Sequence, residues 1–197
     1  MLRVEDLKIP GLAPIFFEVG AGKCLAIQGP SGSGKTLILR ALADLDPVEG
    51  YIYVEGRERE DVSGSVWRRL VRYGSAEPGW WAALPREHFE PGAQVDRVVS
   101  ALGLPSEALD RPLSELSTGE RQRLALVRTL SGDPKVLLLD EPTAALDSAS
   151  VKLAEELIRF QKRAGKVIVL VTHDDEQATR LADRWLLLEN GIVKVVE

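Results

Sequence analysis

Gly29-Pro30-Ser31-Gly32-Ser33-Gly34-Lys35-Thr36 is the stretch that decides the fold. It matches G-x-x-x-x-G-K-[ST], the pattern of a phosphate-binding loop. The apolar run Cys24-Leu25-Ala26-Ile27 precedes it, and Thr36 to Ala43 reads as a helix. Strand, glycine-rich loop and helix start are the context this pattern needs. Glycines let the backbone wrap a phosphate and turn successive N–H groups inward, and the helix N-terminus adds a favourable dipole. Each residue from Gly29, Pro30, Ser31, Gly32, Ser33 and Gly34 to Lys35 and Thr36 is therefore a candidate phosphate contact. Lys35 adds a charge at the β- and γ-phosphates and counts among the catalytic candidates. The Thr36 hydroxyl is a candidate Mg²⁺ ligand.

Two more apolar runs lie downstream, Val136-Leu137-Leu138-Leu139 and Val167-Ile168-Val169-Leu170-Val171. Unbroken apolar runs suit strands of a parallel sheet buried on both faces. Between them Leu153, Leu157 and Phe160 recur at helical spacing from Ser148 to Lys166. Asp147 or Ser148 can cap that helix and Gly165 can end it. The unit predicts a right-handed parallel crossover. The first run ends in Asp140-Glu141, where the carboxyl end of a strand points to a ligand crevice. Asp140 is the candidate for the Mg²⁺ shell. Glu141 is the candidate for polarising a water that attacks the γ-phosphate. These features alone still allow a kinase or a GTPase.

Ile15-Phe16-Phe17-Glu18-Val19 and Tyr51-Ile52-Tyr53-Val54 are β-rich. Trp185-Leu186-Leu187-Leu188 and Ile192-Val193-Lys194-Val195 flank Asn190-Gly191, a tight-hairpin signal. These pieces read as an antiparallel sheet leaning on the parallel core. The middle of the chain carries Pro78, Pro85, Pro91, Pro105 and Pro112, with helical character near Val95 to Leu102. A small helical subdomain inserted at about 78–130 is predicted there.

The 197 residues, 45% hydrophobic and 28% charged, suit one α/β domain over 1–197 with a full core. The net charge of −5 without a basic run disfavours nucleic acid as the main partner. Cys24 is the one cysteine, so no internal disulfide can form, and its apolar neighbours mark it as a core residue. No stretch approaches the ~20 apolar residues of a membrane span, and the N-terminus lacks a signal-peptide pattern. Work at a membrane would need spans from another chain.

Leu116-Ser117-Thr118-Gly119-Glu120-Arg121-Gln122-Arg123 separates the remaining readings. Ser117 and Gly119 place a hydroxyl and accessible N–H groups at a helix start, a second anion-binding arrangement. The stretch closely resembles the L-S-G-G-Q signature of ATP-binding cassette (ABC) ATPases. Ala145-Leu146-Asp147 resembles the family's D-loop, and Thr172-His173-Asp174 its switch-histidine motif. The resemblance runs from Val4-Glu5-Asp6-Leu7 to Asn190-Gly191. It implies a P-loop ABC fold with a mostly parallel sheet. It implies ATP as substrate, Mg²⁺, Glu141 and His173 as catalytic residues, and nucleotide contacts from Ser117, Gly119 and Asp147. It also implies head-to-tail pairing of two cassettes, with the phosphate loop of one chain facing the signature of the other.

Three positions depart from that pattern. Glu77 stands where the family's Q-loop has Gln, though a carboxylate can also ligate Mg²⁺. The signature reads Ser117-Thr118-Gly119-Glu120 rather than S-G-G-Q. Lys8-Ile9-Pro10-Gly11-Leu12-Ala13-Pro14 lacks the aromatic on which the family stacks adenine. The resemblance implies a transporter motor subunit, cytoplasmic and peripheral on the inner face of the membrane. It would work with a membrane-spanning subunit and a second cassette, expected as a homodimer. The compact insert is similar to that of small bacterial exporters. A soluble single-cassette ATPase of an assembly pathway, or an ATP sensor with weak hydrolysis, remain alternatives. Trp80 and Trp81 read either as packing under the insert or as a patch that docks a partner.

Overall fold

The central strands form because their side chains alternate between two buried faces. β3 (Cys24–Gln28), β7 (Val136–Asp140) and β8 (Val167–Val171) are buried at nearly every position. In β8, Val167, Val169 and Val171 enter one apolar cluster, while Ile168 and Leu170 enter a second. In β7, Leu138 joins the first, and Leu137 and Leu139 join the second. A period of two with apolar groups on both faces gives an unbroken apolar run in sequence. The computed structural model describes residues 1–90, 95–189 and 191–196.

The six-stranded sheet has the order β10-β9-β3-β8-β7-β6, with β6 at Val71–Gly74, β9 at Arg184–Glu189 and β10 at Ile192–Val196. β6, β7, β8, β3 and β9 run parallel, and β10 pairs antiparallel with β9. A second sheet, in the order β2-β1-β4-β5, is antiparallel. It comprises β1 (Leu2–Lys8), β2 (Ile15–Val19), β4 (Glu49–Val54) and β5 (Arg57–Glu58). Its inner residues Leu2, Val4, Ile15 and Ile52 pack with Ile38 and Leu42 of α1 (Lys35–Leu42) and Trp67 of α2 (Gly64–Leu70). The Trp67 indole is fully buried and donates its N–H to the Leu42 carbonyl at 2.9 Å, so its one polar atom is satisfied.

The C-terminal strands correct one expectation. They belong to the core sheet and not to the leaning antiparallel sheet. β9 lies parallel beside β3 and buries Leu186 and Leu188, and β10 alone adds antiparallel pairing at the edge. Asn190 of the expected turn lies outside the described residues, as does Pro91.

Between β6 and β7 the chain forms α3 (Asp96–Ala101), three short 3₁₀ turns and α4 (Thr118–Leu130). Leu124, Val127 and Leu130 of α4 share the second cluster with Leu137 and Leu139 of β7. The end of the insert is thus packed directly under the sheet. α5 (Ser148–Arg163) starts at Asp147, whose carboxylate accepts the N–H groups of Ala149 and Ser150, both at 3.0 Å. Its buried face is not the one marked by Leu153 and Phe160, which are 39% and 58% exposed. Ala154 and Ile158 face inward instead, together with Ser150, Glu155 and Gln161. α6 (Asp175–Leu181) follows β8. No helix among the described residues is long and apolar enough to cross a membrane.

Candidate functional site

The glycine-rich 29–36 loop turns between β3 and α1 with Gly29, Gly32 and Gly34 at φ of +154°, +77° and +101°. A side chain at Gly29 would collide with the Leu188 carbonyl oxygen, so close approach as well as φ demands glycine there. Lys35 is buried, and its ammonium donates to the carbonyls of Gly29 at 2.7 Å and Pro30 at 2.9 Å. Burial lowers its pKa, while the carboxylates of Glu141 and Asp140 work the other way.

A cavity of 410 Å³ opens at the carboxyl ends of the parallel strands. Ser31, Gly32, Gly34, Lys35, Thr36, Ala76, Asp140, Glu141 and His173 line it. The crossover topology therefore gathers side chains over a hundred residues apart. Asp140 is buried at the end of β7, and its Oδ2 accepts the Thr36 hydroxyl at 2.8 Å and the Tyr73 hydroxyl at 3.0 Å. Burial, with Asp140 beside it, pushes the Tyr73 phenol up to about 12. Tyr73 escaped the sequence reading because nothing in its own neighbourhood along the chain points to Asp140. Its place on the strand next to β7 is the one available signal.

Glu141 follows β7 at φ +48°, a left-handed conformation costing a non-glycine residue about 1–3 kcal/mol. The backbone turns there because the Glu141 N–H donates to Val171 at 2.9 Å. The Oε2 atom accepts the His173 backbone N–H at 3.3 Å. His173 Nε2 stands 3.4 Å from Oε1, an ion-pair distance without hydrogen-bond geometry. Burial raises the Glu141 pKa against the opposing pull of His173. A raised carboxylate pKa moves a general base toward neutral pH, where proton capture is most effective.

Other candidates lie apart from this cavity. Glu77 is exposed, and its neighbour Ala76 takes the place on the cavity wall. Asp147 is engaged in capping α5. Ser117 and Gly119 sit at the start of α4. Ser117 donates its N–H and its hydroxyl to Glu120 Oε2, each at 2.8 Å, and accepts the Glu120 N–H at 3.2 Å. Arg111 approaches the same carboxylate at 3.3 Å. The Ser117 contacts hold the Glu120 pKa below the usual carboxylate range. A larger hollow of 510 Å³ at Lys8, Ile9, Pro10, Pro47, Val48 and Glu49 contains one ion pair and none of the loop residues.

Thr36 and Asp140 present two hard oxygen donors in contact, the donor chemistry Mg²⁺ favours beside phosphate oxygens. Among the described residues no group of three or more His, Cys, Asp or Glu side chains could hold a metal by itself. A magnesium ion here would take its further ligands from the nucleotide and from water.

The family model described as ABC transporter matches residues 12–144. The chain belongs to the ABC transporter family. Among its relatives is the hemin import ATP-binding protein HmuV of Streptomyces coelicolor, 40% identical over 205 residues. That match covers 96% of this chain and 73% of the relative. An aliphatic sulfonates import ATP-binding protein, SsuB 2 of Agrobacterium fabrum, is 36% identical and covers 91% of this chain and 71% of its own. Protein STAR1 of rice is also 36% identical, but this chain spans only 56% of its length. A solved ATP-binding subunit of an ABC transporter superposes with a TM-score of 0.88 at 25% identity, covering 98% of this chain and 88% of that one. A dimeric ATP-binding cassette bound to ADP and Pi shares the fold with a TM-score of 0.83. As a member of the ABC transporter family this chain binds ATP and is an ATPase.

Proposed function

We propose that this ABC ATPase hydrolyses Mg-ATP in the cavity between the 29–36 loop and the end of β7. The observation that carries the proposal is the convergence of Lys35, the Thr36–Asp140 contact and the Glu141–His173 pair on one space. The loop N–H groups and Lys35 hold the phosphates. Thr36 and Asp140 would hold a magnesium ion, which would neutralise phosphate charge. Glu141 takes a proton from the attacking water as its oxygen bonds to the γ-phosphorus. The bond to the bridging oxygen breaks, and ADP leaves with that electron pair. His173, on the cavity wall beside Glu141, would contact the γ-phosphate. Phosphate release by the purified chain, lost in Asp140→Asn with ATP still bound, tests the assignment. Unchanged release in that variant would contradict it.

The role we propose is the motor of a transporter, with spans supplied by another subunit and a second copy of the chain closing the site through Ser117 and Gly119. The relatives named for import support that role. The surface near Trp81 supports a docking partner. Trp81 is 73% exposed, whereas Trp80 packs against the insert core. His88 wedges between them, accepting the N–H groups of Trp81 at 3.0 Å and Ala82 at 3.2 Å through Nε2. The Arg128 guanidinium lies 4.6 Å and 5.1 Å from the two indole centroids. Trp81→Ala is expected to lower partner-stimulated turnover and leave basal turnover and melting temperature unchanged. Trp80→Ala is expected to lower the melting temperature. A lower melting temperature for Trp81→Ala, with both turnovers reduced together, would assign Trp81 to packing instead.

The segment 8–14, where the family resemblance puts the base, carries no aromatic side chain. Leu12 packs beside Gly34 at the loop, and Ala13 is tied to Gly191 by a 2.7 Å hydrogen bond. Aromatic stacking of a base is worth about 1–3 kcal/mol. Stacking accepts any base, so without a contact that reads the base edge a weak preference for ATP over GTP is expected in a competition assay, with Leu12→Tyr tightening both by about tenfold. A strong ATP preference in the unaltered chain would contradict this.

A further inference from the structure

The Glu141 and His173 loops leave separate strands and enter separate helices, and both helices meet on a buried polar cluster. Gln177 of α6 has no exposed surface, and Glu155 of α5 is 3% exposed. The Gln177 amide contacts the Thr143 hydroxyl through both of its heavy atoms, at 2.9 Å and 3.2 Å. Its nitrogen also approaches Glu155 at 3.5 Å. Arg180, one turn along α6, closes on Glu155 at 2.7 Å, and Arg159 reaches the other carboxylate oxygen at 2.9 Å. Thr143 lies two residues after Glu141. Gln177 lies four residues after His173, and its N–H is capped by Asp174 at 2.9 Å.

Buried ionic and amide groups add little net stability compared with well-packed apolar ones. Their effect here is geometric. A satisfied cluster admits few arrangements, because each shift leaves a buried polar atom unpaired. The Thr143–Gln177 bridge thus joins the loop carrying the base to the helix that starts at the histidine. Above it Glu141 holds a left-handed backbone conformation, which persists only where its surroundings over-determine it. We infer that Gln177 and Thr143 are positioning residues for hydrolysis, clamping the His173 loop onto the Glu141 loop, with Glu155 and Arg180 as the anchor of the clamp. This inference rests on the assignment of Glu141 and His173 proposed above.

The test compares Thr143→Val, Thr143→Ser and Gln177→Leu in the full chain. Steady-state ATP hydrolysis, binding of a fluorescent ATP analogue and thermal melting are measured for each. Thr143→Val keeps the shape of the side chain and removes the bridge, whereas Thr143→Ser keeps the hydroxyl. The expected result is a kcat about ten- to a hundredfold lower in Thr143→Val and Gln177→Leu, as small misplacements of reacting groups produce. KM and analogue affinity stay within about twofold, since the phosphate loop is untouched. Thr143→Ser keeps kcat, and the Val/Leu double variant falls no further than either single one, because both remove the same contact. Normal kcat in folded Thr143→Val would overturn the clamp. So would kcat and KM worsening together in step with melting temperature, or losses that multiply in the double variant. Glu141→Gln is run beside them. If it retains full turnover, the base assignment fails, a result distinct from failure of the clamp.

Discussion

Lys35→Ala is expected to lower ATP turnover by at least about a hundredfold, the scale of removing one preorganised electrostatic contact to a developing anion. In the structure the ammonium spans the loop through the Gly29 and Pro30 carbonyls, within the cavity that Asp140 and Glu141 close. Among the described residues no other lysine or arginine lines that cavity to take over its charge. The fold should survive, because alanine at this position keeps the helix and relieves the burial of a charge. Circular dichroism and melting then match the unaltered chain, while calorimetric titration with Mg-ATP shows weak or no binding. Unchanged affinity and turnover would contradict the assignment of the loop.

Glu141→Gln is expected to cut hydrolysis by about a hundred- to ten-thousandfold, the range of a lost general base, while nucleotide stays bound. Glutamine keeps the size and an oxygen for the His173 N–H, but no basic carboxylate. In the proposed pairing, retained ATP should then hold two copies together, an association absent with ADP, since the γ-phosphate would provide the link to Ser117 and Gly119 of the second copy. Light scattering at several chain concentrations reads this. A monomer at saturating Mg-ATP would point to a different partner cassette, or to a signature kept closed by the Ser117–Glu120 contacts. Stability gives a second readout with a fixed sign. The Glu141 pKa is raised in the folded protein, so folding favours its protonated form. The resulting cost is absent below its ordinary value of 4.5 and is fully present above the raised one. Glu141→Gln should therefore melt higher than the unaltered chain at neutral pH, with the difference disappearing as the solution is acidified.

The strand-loop-helix around the glycine-rich 29–36 loop, the Asp140-Glu141 pair at a strand end and the strand at Val167 to Val171 are legible because each is local. Glycine spacing, a run of apolar residues and the order strand-loop-helix carry their own physical reasons. The antiparallel N-terminal sheet followed from the same kind of local pattern. Contacts between distant segments were not legible. Tyr73 reaches Asp140 only because β6 lands beside β7, and no periodicity reports which strands become neighbours. The C-terminal strands dock on the core sheet and not on the antiparallel one for the same reason, since hairpin signals specify pairing within the hairpin and not its docking.

The helix α5 shows another limit. The apolar spacing of Leu153, Leu157 and Phe160 located the helix but not its inner face. That face carries Ser150 and Glu155, polar groups that become buried because Asp147 satisfies the first and Arg159, Arg180 and Gln177 the second. Hydrophobic patterning cannot register a buried seam built on hydrogen bonds. The state of Ser117 was equally hidden. Its sequence context marked an anion site, and the side chain of Glu120 three residues on closes a capping box over it.

The most direct test of the site is the nucleotide recovered from Glu141→Gln after incubation with Mg-ATP. The chain is separated from free nucleotide, denatured and its bound nucleotide resolved by chromatography, with the unaltered chain in parallel. The expected result is intact ATP in the variant and ADP with released phosphate in the unaltered chain. ADP and phosphate from the variant at the unaltered rate would contradict the assignment of Glu141 as the base that activates water at the end of β7.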